Sequence, residues 1–359
     1  MRKYLLSLLP VLFFLCANAQ VKLTLLDSTT FRSGKGVILS KTSFRGLSVV
    51  SKKVIWVSGN RGTYGRSTNG GKSFFFTQLD DYNKIDFRDI EAFDAKNAVM
   101  MSSGSPAYIL KTTDGGATWK EVYKNTRPDI FLDAMDFWDK KHGMIVGDPI
   151  DHHFVLLETK DGGNSWAALD TVHTPFAGLS EAVFAASGTS LRCFNKNEFG
   201  FVTGGEQSRF IHGIPQDNYF TWIQQLVPVR QGKSSQGAFS FAIDGKLVIV
   251  AGGDYQLDTS ANSVCAVTLN YELDAFISVP PIVRFTGYRS CVEILDKDFT
   301  LACGSTGVDL SRILYPSITV PHPVIKISKE AFNVVRKSKK GKAIYIAGNK
   351  GHIGRIIRL

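Results

Sequence analysis

Short apolar segments alternate with polar positions along the chain, and a glycine closes one such segment at nearly regular intervals. The series runs Val57-Ser58-Gly59, Ser102-Ser103-Gly104, Ile145-Val146-Gly147, Val202-Thr203-Gly204, Val250-Ala251-Gly252, Leu301-Ala302-Cys303-Gly304 and Ile346-Ala347-Gly348. Successive glycines lie 45, 43, 57, 48, 52 and 44 residues apart. Before each stands an alternating segment such as Leu47-Ser48-Val49-Val50 or Ala134-Met135-Asp136-Phe137, the period-two pattern of a half-buried strand. A repeat of about 48 residues made of short strands is the length of a four-stranded propeller blade. No long amphipathic helical pattern competes with it. The sequence therefore predicts an all-β chain, a seven-bladed β-propeller of four-stranded antiparallel blades.

Three segments sharpen the reading: Ser67-Thr68-Asn69-Gly70-Gly71-Lys72-Ser73-Phe74, Thr112-Thr113-Asp114-Gly115-Gly116-Ala117-Thr118-Trp119 and Thr159-Lys160-Asp161-Gly162-Gly163-Asn164-Ser165-Trp166. Each matches the Asp-box (BNR) motif, and each composition suits a hairpin turn. The side chain of Asn69, Asp114 or Asp161 accepts from backbone N–H groups, glycine supplies positive φ, and Trp119 or Trp166 packs between sheets. Closure of the ring is also expected. The last repeat stops after a third strand at Ile353–Ile357, and Val21–Asp27 resembles the segment Trp166–Asp170 that follows an Asp-box. The N-terminal strand is thus expected to join the last blade and leave no open edge.

Residues 1–19 read as a secretory signal peptide: Arg2 and Lys3, an apolar stretch from Tyr4 to Leu15, and Ala17-Asn18-Ala19 before Gln20. Leu15 before Cys16 does not fit a lipid-anchor motif. Residues 20–359 then form one domain, exported to the periplasm or secreted, with no apolar run long enough for a spanning helix. In an oxidising compartment, Cys193, Cys265, Cys291 and Cys303 are too few for a disulfide scaffold. Cys291 and Cys303 flank a hairpin turn near Asp296-Lys297-Asp298 and are placed to face each other, as a disulfide or as two small buried side chains. No paired cysteine spacing indicates zinc.

The segment Phe87-Arg88-Asp89-Ile90, followed by Ile109-Leu110-Lys111-Thr112-Thr113-Asp114-Gly115-Gly116-Ala117-Thr118-Trp119, resembles the Ycf48/Hcf136-like family. That resemblance implies an extracytoplasmic seven-bladed propeller, in a family named for members that assist photosystem II assembly. Since fold alone does not give function, the site must be argued from its residues.

In a propeller the inner strand of each blade lines the channel. The start of strand one and the end of strand two share a rim, and the Asp-box turns lie on the other. Aligning inner strands places Arg45, Arg88 and Arg289 in one column and Asp89, Asp133 and Glu181 in the next. Tyr288 precedes Arg289, and past the strand-two glycines come Arg61, Asp148, Glu206 and Asp254, with Tyr255 next to the last. This polar rim is the expected ligand site. The competing expectation is mutual neutralisation around a wet channel.

Other chemistries fit less well. A sialidase-like glycosidase would grip a substrate carboxylate with Arg45, Arg88 and Arg289 beside Tyr288. Those enzymes, however, have six blades, and their Arg-Ile-Pro signature is here Arg45-Gly46-Leu47. Gly34-x-Gly36 lacks the third glycine of a dinucleotide site, and Gly71-Lys72-Ser73 lies inside an Asp-box. His152-His153 would point to opposite faces of a strand. The chain carries 42 Lys and Arg against 32 Asp and Glu, and the last repeat is locally basic from Lys326 to Arg358. No aromatic interleaving accompanies that basic run, which argues against nucleic acid. The expectation is an exported, non-catalytic propeller without cofactor or metal. It binds a protein or peptide partner, as an assembly or stability factor of an envelope complex. The alternative is a glycan-binding or glycan-cleaving BNR protein.

Overall fold

The computed structural model describes residues 21–260, 264–270, 275–279, 285–312 and 324–358. The expected signal segment 1–19, the side chain of Cys265 and the terminal Leu359 lie outside the described residues. The described chain forms seven sheets, each containing four antiparallel strands, as a β-propeller requires. No helix among the described residues is long and apolar enough to cross a membrane.

In blade 1 the strands run Phe44–Val49, Ile55–Gly59, Thr63–Ser67 and Phe75–Gln78, and Arg32–Ser33 adds a short parallel strand outside the last. The inner strands of the other blades are Phe87–Ala92, Leu132–Phe137, Leu191–Phe194, Lys233–Asp244, Cys291–Asp296 and Val334–Lys337. In the seventh sheet Val21–Leu25 pairs antiparallel with Ile353–Arg358, with Leu23 opposite Ile356. Its outer strand is therefore the first strand of the described chain.

Between neighbouring blades the inward faces interlock. Phe199 and Phe201 of blade 4 pack with Ala134 and Val146 of blade 3, and Phe241 and Val250 of blade 5 with Val202 and Phe210 of blade 4. One large cluster joins blades 6, 7 and 1 through Cys303, Ile346 and Phe44. These apolar seams supply most of the driving force for the fold.

Polar staples supplement them. The hydroxyl of Ser48 accepts from the Ala92 N–H at 3.0 Å, and Asp89 Oδ2 from the Met135 N–H at 2.8 Å. Asp136 Oδ2 accepts from Cys193 N–H, Ser240 Oγ from Val292 N–H and Cys291 Sγ from Val335 N–H. The last join is made by Asn333, whose Nδ2 donates to the Phe44 carbonyl at 2.9 Å. Each satisfies a backbone group of the next inner strand that would otherwise be buried unpaired.

The three Gly-Gly turns share one network. Asp114 Oδ1 accepts from the Thr118 N–H at 3.0 Å, and the Thr112 hydroxyl accepts from the Gly116 N–H at 2.9 Å. Asn69 and Asp161 repeat the first bond with Ser73 and Ser165. Gly115 and Gly116 adopt φ of 85° and 88°, the left-handed region that the turn demands.

Candidate functional site

At one mouth of the channel a cavity of about 480 Å³ opens. Its walls follow from one backbone feature. Arg45 is the extra residue where Phe44 pairs with Gly59 and Gly46 with Ser58. Arg88 and Asp133 occupy the same bulge in blades 2 and 3, and Phe239 does so in blade 5. A bulge re-aims a side chain out of strand alternation, and all four of these side chains line the cavity. The recurring glycine belongs to this device: a Cβ on Gly59 would strike the Ser43 carbonyl, and one on Gly304 the Tyr288 carbonyl.

This register revises the expected columns. Asp133 stands with Arg45 and Arg88, while Asp89 occupies the next position and is a buried staple, accepting from Ile90 and Met135 N–H groups. Burial, and then the charge of Glu91, push its carboxyl well above the usual range. Arg289 does not reach the cavity. In blade 6 Ser290 takes the bulge position, its N–H donating to the Cys303 carbonyl while Cys291 pairs with Cys303. Arg289 sits one residue earlier, fully buried, and donates to Asp309 Oδ2 at 2.5 Å and to Thr286 Oγ1 at 2.8 Å. The arginine trio that the glycosidase expectation needs is therefore not assembled.

Glu181 is also placed elsewhere. Blade 4 begins at Leu191, and Glu181 lies in a two-residue strand paired with Gly204–Gly205. Its carboxylate holds Arg209 at 2.8 and 2.5 Å. Residues 182–186 then fill the mouth where a regular blade-4 bulge would stand. Asp254 accepts from Gln236 Nε2 at 2.9 Å and from the Gln256 N–H, holding its loop, and Glu206 is exposed.

Within the cavity Arg88 Nε donates to Asp86 at 2.9 Å and Nη1 to the Ala185 carbonyl at 3.3 Å, with its guanidinium 5.9 Å from the Phe131 ring centroid. Arg45 Nη1 donates to the Ala186 carbonyl at 3.0 Å. Burial and the neighbouring Arg88 charge both lower its pKa. Asp148 Oδ1 accepts from the Val183 N–H at 2.9 Å, and burial raises its carboxyl to about 6. Tyr288, whose hydroxyl pKa burial pushes up, closes one wall. It meets Phe239 edge-on with centroids 4.8 Å apart, and Phe184 stacks on Phe239 at 3.9 Å. Tyr255, half exposed, continues this aromatic wall to the rim.

Tyr255, expected on the rim beside Asp254, does line the cavity, whereas Phe131, Phe184 and Phe239 were not expected in the site from sequence. Phe239 shares its bulge position with Asp133, but it stands 13 residues before its blade's Gly252 where Asp133 stands 14 before Gly147, so glycine spacing does not single it out.

At the opposite mouth a second cavity of about 320 Å³ is lined by paired charges. Glu91 receives Arg336 at 2.6 Å and also Lys339, and Arg192 meets Glu293 at 3.2 Å. Burial raises Asp136 to about 6 and Glu293 to about 7. Among the described residues no group of His, Cys, Asp and Glu is arranged to hold a metal ion. Cys291 and Cys303 lie directly opposite each other as free thiols.

No protein-family model matches the sequence. No curated protein matches it either. Solved structures do match in fold. The structure of YCF48 bound to D1 peptide aligns over 93% of this chain and 99% of its own, at 12% identity and a TM-score of 0.61. YCF48 from Cyanidioschyzon merolae aligns over 88% and 96%, at 13% identity and 0.61. The RRP9 WD40 repeats align over 94% and 98%, at 11% identity and 0.64. These likenesses place the chain among β-propellers.

Proposed function

We propose that this chain is an exported, non-catalytic propeller that binds a protein or peptide partner at the mouth built by Arg45, Arg88, Asp133 and Phe239. In this reading residues 1–19 direct export to the periplasm or beyond, the Gly-Gly turns are Asp-boxes with a scaffolding role, and the N-terminal strand closes the ring. The partner is a component of an envelope complex whose assembly or stability the chain assists.

The observation that carries the reading is the cavity itself. Two guanidinium groups stand beside an aromatic wall in a concave site about the size of one or two peptide side chains. Arginine and tyrosine at the centre of such a site are the residue types that anchor protein partners. A propeller of similar fold, YCF48, has been solved with a peptide, which supports the class of partner.

The test is a selection of displayed random peptides on the folded protein, run beside a panel of fluorogenic glycosides. Peptides that enrich and compete with one another support the reading. Turnover of a glycoside without peptide enrichment overturns it.

A further inference from the structure

We propose that Asp133 and Asp148 form a cation subsite in the channel mouth, which receives a primary ammonium or guanidinium group of the partner. The inference deepens the peptide-binding reading and rests on it only for the nature of the partner.

Asp133 is anomalous among the buried acids of the ring. Its side chain is fully buried and lines the cavity, yet neither carboxylate oxygen has a hydrogen-bond partner among the described residues. Every comparable acid is satisfied: Asp89 by two backbone N–H groups, Glu91 by Arg336 and Lys339, Asp136 by Phe137 and Cys193 N–H groups, and Asp309 by Arg289 and Thr286. Such a group calls for an explanation, because an unpaired buried acceptor is costly. Arg88 is the neighbouring cation, but its donors are turned to Asp86 and to the Ala185 carbonyl. Asp148 offers a second acceptor, since only its Oδ1 is engaged, by the Val183 N–H.

The charge inventory agrees. Asp86 and Arg88 from blade 2, Arg45 from blade 1, and Asp133 and Asp148 from blade 3 face this space, with Tyr288 and Tyr255 on the far wall. Fully ionised, the three carboxylates exceed the two guanidinium groups by one. One monocation balances the site. The aromatic faces of Phe184 and Phe239 suit the alkyl stem of a lysine or the plane of an arginine.

A consequence follows for protons. With no ligand bound, burial and the charge of Asp148 push the Asp133 carboxyl well above its usual range, opposed by Arg88 and by the neighbouring backbone N–H groups of Asp148 and Ala185. A cation arriving there favours the ionised form. Binding therefore releases a proton, and affinity rises with pH.

The experiment titrates the full-length protein with acetyl-Gly-Lys-Gly-amide, its norleucine counterpart and n-butylammonium chloride, by calorimetry in two buffers of different ionisation enthalpy. The lysine peptide should bind at least tenfold tighter than the norleucine peptide, with an apparent enthalpy that differs between buffers. Asp133→Asn should bring the lysine peptide down to the norleucine level. Because asparagine matches aspartate in shape and keeps one acceptor oxygen, that variant should fold as the parent does, and Asp148→Asn serves as an independent second lesion. Equal binding of the two peptides overturns the cation subsite and leaves the peptide reading standing. Binding of n-butylammonium without either peptide supports the subsite and contradicts the peptide reading. Binding of none of the three at millimolar concentration overturns the subsite.

Discussion

Arg289 and Asp309 form a fully buried ion pair, Nη2 to Oδ2 at 2.5 Å, inside blade 6 and away from the channel mouth. Removing one partner leaves the other charge uncompensated in the interior. Arg289→Ala should therefore cost about 3–5 kcal/mol, while Arg289→Met with Asp309→Leu should recover most of it. Chemical denaturation of the three proteins checks this. Peptide affinity of the folded fraction should not change in any of them.

The pairing of Val21–Leu25 with Ile353–Arg358 makes the N-terminal strand the outer member of the seventh sheet. Deleting residues 21–27 should lower the melting temperature by several degrees or more and expose an open edge that promotes association. A truncated protein that melts with the parent and stays monomeric would contradict ring closure by this strand.

Much of this architecture is legible in the sequence. The spacing of Gly59, Gly147, Gly252 and Gly304 reports the bulges, because each glycine lets a neighbouring backbone pass where a Cβ would collide. The bulge itself is what sequence alignment misplaces. One extra residue shifts Asp133 into register with Arg88 and moves Arg289 out of it, and in a strand one residue reverses the face. Blade 4 departs further, since the 182–186 segment replaces its regular strand start. Glu181 accordingly reads as a rim residue in sequence but binds Arg209 in the fold. Of the aromatic wall, Tyr288 and Tyr255 are legible as rim residues, whereas Phe184 comes from that segment and Phe239 from the blade 5 bulge, and no local pattern announces them.

The Gly-Gly turns should act on stability alone. Hydrogen bonds led by those from Thr118 hold the Asp114 carboxyl at about 2, and Asp114→Ala leaves the turn N–H groups without their acceptor. A lower denaturation midpoint is expected in denaturant melts. Peptide affinity, corrected for unfolded protein, should match the parent.

Two sets of carboxyls give stability opposite slopes with pH. Asp136 and Asp148 are raised to about 6 and Glu293 to about 7 by burial, so the folded state holds protons that the unfolded chain has released. Stability from these groups is present below pH 4 and falls as pH rises from about 4 to 7. Asp114 and Asp161, lowered to about 2, lose their contribution as pH falls from about 4 to 2. The melting temperature should therefore peak between about pH 4 and 5, and Asp136→Asn should flatten the decline above the peak.

The central claim is that the mouth lined by Arg45 and Arg88 binds the partner. The most direct measurement is the affinity of one selected peptide for the parent and for Arg88→Ala, with thermal stability recorded on the same samples. Arg88 is half-buried and pairs with a half-buried Asp86, so its removal should cost stability no more than about 1 kcal/mol. The account predicts at least a tenfold loss of peptide affinity with a nearly unchanged melting temperature. Full affinity in Arg88→Ala, repeated in Arg45→Ala, would contradict it.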